Sequence, residues 1–131
     1  MIAENNPFNI RVGRTPWCGQ VGSTKGFCIF DSLDLGVRAA ALLLLQTYRK
    51  RGCFTISAII KRFAPSSENN TEAYIKYVCE KSGYSDDFPL SFQYQYVIIL
   101  KWMAYYESNT YLSAYYISDI IDRFKIKVFK V

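Results

Sequence analysis

Histidine is absent from the 131 residues of this chain. Histidine is the side chain that most often serves as a general base near neutral pH, and it activates the serine or cysteine nucleophile of many hydrolases. Its absence excludes those nucleophile–base pairs. Any hydrolytic chemistry must therefore use carboxylates, and the chain offers only eleven Asp and Glu residues to search.

Metal-binding cysteine motifs are also absent. The four cysteines stand at positions 18, 28, 53 and 79, and no two have the two-residue spacing of a zinc knuckle. Because no histidine can complete a mixed site, we expect neither a metal nor another cofactor. Cys18 and Cys28 bracket a glycine-rich turn and could pair across a hairpin, whereas Cys53 and Cys79 could equally be buried thiols.

Long apolar runs are missing as well. The longest one covers residues 39–45, whereas a membrane-spanning helix needs about 20 apolar residues. The first residues have no basic start followed by an apolar stretch, so we expect this chain to carry no signal peptide.

Aromatic side chains and positive charge are what the chain has in excess. It contains eleven Tyr, nine Phe and two Trp, and its net charge is +5. Such rings pack in cores, and they also line grooves on which sugars or bases stack. The charge favours an anionic partner such as a cell-wall polymer. Nucleic acid is disfavoured because the basic clusters are dispersed and no recognition signature accompanies them.

Helical periodicity dominates from residue 32 onward. Ser32 or Asp34 can cap a first helix that runs to about Arg51. Four further helices are predicted, which run from Thr55 to Pro65, from Thr71 to Gly83, from Ser91 to Glu107 and from Leu112 to Phe124. Thr55 and Thr71 are the predicted N-caps of the first two of these helices. Residues 125–131 predict an edge strand or a frayed end. With the strand-like runs and glycine turns of residues 5–32, the prediction is one mainly α domain, residues 1–131, of about five helices with a small irregular or β N-terminal lobe.

Three ordered motifs resemble those of a family of small phage-encoded proteins. The first, similar to NNPGNIR…W.G, is formed by Asn5, Asn6, Pro7, Asn9, Ile10, Arg11, Trp17 and Gly19. The second, similar to F..F.S...GIRA, is formed by Phe27, Phe30, Gly36, Val37, Arg38 and Ala39. The third, similar to TI..II.RWAP..EN.T..YI, is formed by Thr55, Ile56, Ala64, Pro65, Glu68, Asn69, Thr71, Tyr74 and Ile75. Members of this family are usually called virion structural or lysozyme-like proteins.

The resemblance implies a lysozyme-like fold and cleavage of peptidoglycan glycan strands by a muramidase or a lytic transglycosylase. It also implies peptidoglycan and virion or secretion-apparatus proteins as partners. The implied location is the virion, the bacterial periplasm or the extracellular space. Phe8 stands where the family usually has Gly after Pro7, so the turn before Asn9 must be made differently.

Glycosidic cleavage needs a proton donor at the leaving oxygen, and a carboxylic acid with a raised pKa supplies it. Glu107 is the first candidate, because its aromatic neighbours along the chain could desolvate it. The Glu107-Ser108 pair also resembles the catalytic Glu-Ser of lytic transglycosylases and goose-type lysozymes. Glu68 is the second candidate for catalysis. Alternatively, Glu68 stands just before a helix and binds its unpaired N–H groups.

The candidate substrate-binding residues all lie in the first and third motifs, and they are Asn6, Asn9, Arg11, Trp17, Asn69 and Tyr74. The amide and guanidinium groups of Asn6, Asn9 and Arg11 could hold a sugar N-acetyl group or a peptide carboxylate. Alternatively, the asparagines bond locally within a turn. Trp17 either stacks on a sugar ring or closes the core, and Asn69 could equally stabilise its own loop.

A second function stays open, which is a non-catalytic structural or cell-wall-binding module in a virion or a secreted assembly. The replacement of Gly by Phe8 and the basic C-terminal tail, which lies outside the family pattern, favour this alternative.

Overall fold

The computed structural model describes residues 3–67 and 69–131. Within these residues, a short antiparallel hairpin is followed by five helices. The strands are β1 (Gln20–Thr24) and β2 (Phe27–Phe30). The helices are α1 (residues 33–50), α2 (Ile56–Phe63), α3 (Thr71–Ser82), α4 (Gln93–Ser108) and α5 (Ala114–Arg123). The prediction of a mainly α fold with a small β lobe is confirmed.

Helix α1 lies at the centre of the core and changes its winding part-way along. It is α-helical over Leu33–Leu42, forms one π turn over Leu43–Thr47 and ends with an α turn over Tyr48–Lys50. Its buried face carries small and branched apolar side chains, which are Val37, Ala39, Ala40, Ala41, Leu44 and Leu45. These side chains explain why α1 packs against β2, α4 and α5.

The C-terminal tail packs along α1 and forms neither the edge strand nor the frayed end that its alternation predicts. The π turn leaves the carbonyl of Leu45 available, and the backbone N–H of Phe129 donates to it at 2.9 Å. The side chains of Gln46 and Arg49 donate to the carbonyls of Lys127 and Phe129. The tail is therefore anchored by backbone groups, which its side-chain pattern does not reveal.

The helix starts follow from side-chain caps, with one correction to the sequence prediction. Ser32 caps α1, and Thr55 caps α2. Asn70, and not Thr71, caps α3, because its side-chain oxygen accepts the N–H of Ala73 at 3.1 Å. The hydroxyl of Thr71 instead donates to the carbonyl of Ala64.

The N-terminal turn fits closely against α1. Asn5 and Asn9 adopt left-handed backbone conformations with φ of 59° and 54°, which asparagine tolerates better than most residues. Phe8 does not adopt a left-handed backbone conformation, and its side chain is completely buried in the core. The turn therefore needs no glycine at position 8. Gly36 of α1 is required for a different reason, since a Cβ there would lie 1.9 Å from the carbonyl oxygen of Asn5.

The four cysteines are free thiols. Cys28 is buried and Cys18 is exposed, so the pairing across the hairpin is not formed. Within residues 3–67 and 69–131, no helix has the length and apolar character that crossing a membrane requires.

Replacing Gly36 by Ala is expected to lower the free energy of unfolding by at least about 1–3 kcal/mol, because the new methyl group overlaps backbone. Urea unfolding measures this. Gly13→Ala is the matched control, since a Cβ at position 13 has nothing within 4 Å, and a change below about 1 kcal/mol is expected there. Equal stability of the two variants would show that the turn does not lie against α1.

Candidate active site

A cleft of about 530 Å³ opens between the N-terminal lobe, the ends of α1 and α2, and the C-terminal end of α4. The five predicted site residues that line it are Asn9, Arg11, Trp17, Asn69 and Glu107. They come from three chain segments that are far apart in sequence. The structure thus brings most of the candidate set to one place.

Glu107 is held in this cleft by the N-terminal turn. The side-chain amide of Asn9 donates to the backbone oxygen of Glu107 at 3.0 Å and to its Oε1 at 3.1 Å. The next residue, Ser108, donates its hydroxyl to the carbonyl of Pro7 at 2.7 Å. Asn109 then ends α4 in a left-handed conformation. The last turn of α4 is therefore fixed against residues about a hundred positions earlier in the chain.

Burial raises the pKa of Glu107 above its usual range. The hydrogen bond from Asn9, the nearby hydroxyl of Tyr74 and the positive charge of Arg11 act in the opposite direction, and burial outweighs them. A raised pKa keeps the carboxyl group protonated closer to neutral pH. This is the property that a general acid requires.

Tyr74 is buried and is not among the residues that line the cleft. Its side chain is only 1% exposed, and its ring stacks on that of Tyr106 with centroids 4.1 Å apart. Its hydroxyl interacts electrostatically with Glu107, yet it is a buried polar atom without a hydrogen bond to any described residue. The prediction that Tyr74 binds substrate therefore does not fit its position.

Asn6 is likewise a structural residue. It is completely buried, and its side-chain amide donates to the carbonyls of Ile10 and Cys28, both at 2.9 Å. Its side-chain oxygen accepts the N–H of Ile10 at 2.9 Å. These bonds join the N-terminal turn to β2 and use the amide group fully, so the alternative of local turn bonding describes Asn6 and substrate contact does not.

The other predicted residues have their side chains at the cleft. The guanidinium group of Arg11 lies over the ring of Phe27, 4.7 Å from its centroid. Trp17 is half-buried, packs against the core and also lines the cleft, so the prediction that it stacks on a sugar ring stays a prediction. The amide of Asn69 donates to the carbonyl of Pro65 at 3.3 Å, which stabilises its loop at the cleft edge.

The cleft also contains residues that the sequence analysis did not select. Tyr48 and Phe63 occupy core positions in the helical pattern, and Arg62 belongs to a basic cluster, so none of the three stands out in the sequence. All three line the cleft. Burial raises the pKa of Tyr48 to about 12, and the charge of Arg62 opposes this rise. The one feature of the sequence that could have indicated a cavity is that all three lie in the last turn of a predicted helix.

Glu68, the second catalytic candidate, lies outside the described residues. Among the cleft residues that the structure does describe, Glu107 is the one carboxylate. No group of three or more Cys, Asp and Glu side chains in the described ranges could hold a metal ion.

No model of a known protein family matches this sequence. The chain is similar to Protein P5 of Pseudoalteromonas phage PM2, with 37% identity over 87 residues. The match covers 63% of this chain and 54% of P5, so the chain spans about half the length of that relative. The protein is homologous to a phage protein.

The raised pKa of Glu107 predicts how its replacement changes stability with pH. A carboxyl whose pKa is raised on folding contributes stability that is fully present below the ordinary pKa of about 4.3, and this stability is lost as pH rises through the folded-state pKa. In Glu107→Gln, the new side chain is neutral at every pH, and its amide oxygen can still accept the hydrogen bond from Asn9. We expect the stability of this variant relative to the parent protein to increase as the pH rises from about 4.3 through the raised folded-state pKa of Glu107.

Urea unfolding at several pH values in that window measures the difference. Glu80→Gln is the control, because Glu80 is exposed and pairs only at the surface with Lys76 at 4.0 Å, so its effect should stay below about 0.5 kcal/mol. A stability difference for Glu107→Gln that is independent of pH would contradict the burial of an ionisable group.

Proposed function

We propose that this protein cleaves the glycan strands of peptidoglycan, with Glu107 as the general acid. One observation carries the proposal: a carboxyl group whose pKa is raised by burial opens into a cleft lined by aromatic, amide and guanidinium groups. The resemblance of the three sequence motifs to lysozyme-like phage proteins supports it. On this proposal, the helical domain is lysozyme-like in its arrangement.

The cleft suits a sugar polymer in both shape and chemistry. Its volume of about 530 Å³ lies within the usual range of small-molecule sites. Trp17 and Phe63 offer apolar faces for sugar rings, and Asn69 offers an amide for an N-acetyl group. Arg11 and Arg62 bring positive charge to the lining, which favours a polymer that carries carboxylates.

The chemical step follows from the position of Glu107. The protonated carboxyl donates its proton to the glycosidic oxygen as the bond between that oxygen and the sugar carbon breaks. The Asn9 amide, which donates to Oε1, holds the carboxyl in one orientation. Since Glu107 is the one carboxylate in the described lining, we favour the lytic transglycosylase route. In that route a hydroxyl of the substrate attacks the sugar carbon, closes the product ring and gives its proton to the Glu107 carboxylate.

We also propose that the protein acts as part of a phage particle. The similarity to P5 of phage PM2 supports a phage protein, and peptidoglycan is a barrier that such a particle meets. Other virion proteins would then be partners alongside peptidoglycan. The alternative locations, the bacterial periplasm and the extracellular space, share the same substrate.

A non-catalytic wall-binding module is the second candidate. The specific observation in its favour is that the Asn9 amide is bound to Oε1 of Glu107 and so already uses one carboxyl oxygen. On this alternative, the cleft would hold a glycan strand without breaking it.

The test is digestion of purified cell walls by the purified protein, followed by mass spectrometry of the soluble fragments. We expect fragments with anhydro ends from a lytic transglycosylase, whereas a muramidase would leave reducing ends. Glu107→Gln should lower the rate at least about 100-fold, because it removes general acid catalysis. Glu80→Gln, which changes an exposed glutamate on α3, should retain the parent rate.

Different outcomes separate the candidates. Folded parent protein that releases nothing from several wall types would overturn the enzymatic proposal. Sedimentation with intact walls in the same assay would then support the binding module. Loss of activity in Glu68→Gln but not in Glu107→Gln would move the general acid to Glu68.

A further inference from the structure

The hydroxyl of Tyr74 is buried within the core without a hydrogen-bond partner among the described residues. Most buried polar atoms in proteins have a hydrogen-bond partner, so a buried hydroxyl without one requires an explanation. A phenylalanine at position 74 would fill the same space without carrying a polar atom into the core.

Two helices bring this hydroxyl to Glu107. Tyr74 lies in the first turn of α3, which packs against α4. Its ring stacks on Tyr106, the residue directly before Glu107, with an interplanar angle of 20°. The stack fixes the tyrosine ring relative to the last turn of α4. The Asn9 amide reaches the same carboxyl group from the N-terminal lobe.

We propose that Tyr74 is a positioning residue for Glu107, and that its hydroxyl donates a hydrogen bond to the Glu107 carboxylate when this group is ionised. The role in catalysis rests on the function proposed above. When Glu107 gives its proton to the glycosidic oxygen, a negative charge is left in a partly buried site. The Tyr74 hydroxyl and the Asn9 amide then stabilise that charge from two sides, and Tyr74 keeps its own proton throughout.

The electrostatics of the pair support this assignment. Burial first, and then the charge of Glu107, hold the pKa of Tyr74 well above its usual range, so the hydroxyl is always a donor. Hydrogen bonds to a charged acceptor are stronger than those between neutral groups, so this bond strengthens as the proton leaves. An interaction that is stronger after proton transfer lowers the barrier, whereas uniform binding does not.

The charged and titratable groups around the pair are few. Arg11 faces Glu107 from the N-terminal lobe, and Tyr48 and Tyr106 face Tyr74 from α1 and α4. None of these three groups is a negatively charged acceptor that would compete with Glu107 for the hydrogen bond of the Tyr74 hydroxyl. The Glu107 carboxylate is thus the natural acceptor for the Tyr74 hydroxyl among the described residues.

Tyr74→Phe tests the proposal, because it removes the hydroxyl and keeps the stacked ring. The pKa of Glu107, followed by NMR on carboxyl-labelled protein, should rise further in this variant. The kcat for cell-wall digestion should fall about tenfold with little change in KM, as expected for the loss of one hydrogen bond made in the transition state. Thermal stability should stay equal or increase, since an unpaired buried polar atom is removed.

Tyr77→Phe is the matched control. Tyr77 stands one turn later on α3, is half-buried, and interacts with Tyr105 and not with Glu107. Its replacement should leave both the pKa of Glu107 and the kcat unchanged. As a second probe, 3-fluorotyrosine at position 74 makes the hydroxyl a stronger donor and should lower the pKa of Glu107.

The outcomes distinguish the inference from the proposed function. An unchanged pKa of Glu107 in Tyr74→Phe, or equal shifts in Tyr74→Phe and Tyr77→Phe, would overturn the pairing. A raised pKa in Tyr74→Phe with a parent protein that cleaves no wall would support the pairing and overturn the enzymatic function. A raised pKa together with a lowered kcat would support both.

Discussion

The docking of the N-terminal turn onto the end of α4 is the interaction on which the candidate site depends. The Asn9 amide bonds Glu107 twice, at its backbone oxygen and at Oε1, and Ser108 bonds the carbonyl of Pro7. These contacts hold the N-terminal turn against the end of α4 at the cleft, where Asn9 and Glu107 both belong to the lining. The left-handed conformation of Asn9 aims the amide, while the buried Asn6 ties the same turn to β2. Without the turn, Glu107 would be a solvated residue at a helix end.

The chemistry proposed for Glu107 depends on opposing influences on the pKa of its carboxyl group. Burial favours its protonated form, whereas Asn9, Tyr74 and Arg11 favour the anion. The raised pKa favours the protonated form that the proposed general acid needs, and the three anion-stabilising groups favour the form left after proton transfer. A fully paired carboxylate would not stay protonated, and a fully isolated one would not release its proton.

The sequence was sufficient for the helices and for the burial of Glu107, and insufficient for the walls of the cleft. Periodicity located all five helices because each buries one apolar face, and the aromatic neighbours of Glu107 correctly indicated burial. Asn6 and Tyr74 were assigned to substrate because a motif places residues together but does not tell which way a side chain faces. Tyr48 and Arg62 were missed since the cleft walls come from segments that meet only in the folded chain. The predicted cap of α3 is wrong because the Thr71 hydroxyl donates to the carbonyl of Ala64, seven residues earlier. Helix-capping preferences describe only the first turn of a helix, so they do not reveal this bond.

On the proposed function, a glycan strand lies in the cleft across Glu107. NMR on isotope-labelled Glu107→Gln protein, titrated with soluble peptidoglycan fragments, tests it most directly. We expect the largest amide and side-chain chemical-shift changes on four cleft residues, which are Arg11, Trp17, Phe63 and Asn69. Shifts confined to surfaces away from the cleft, or no shifts with folded protein and several fragment types, would contradict it.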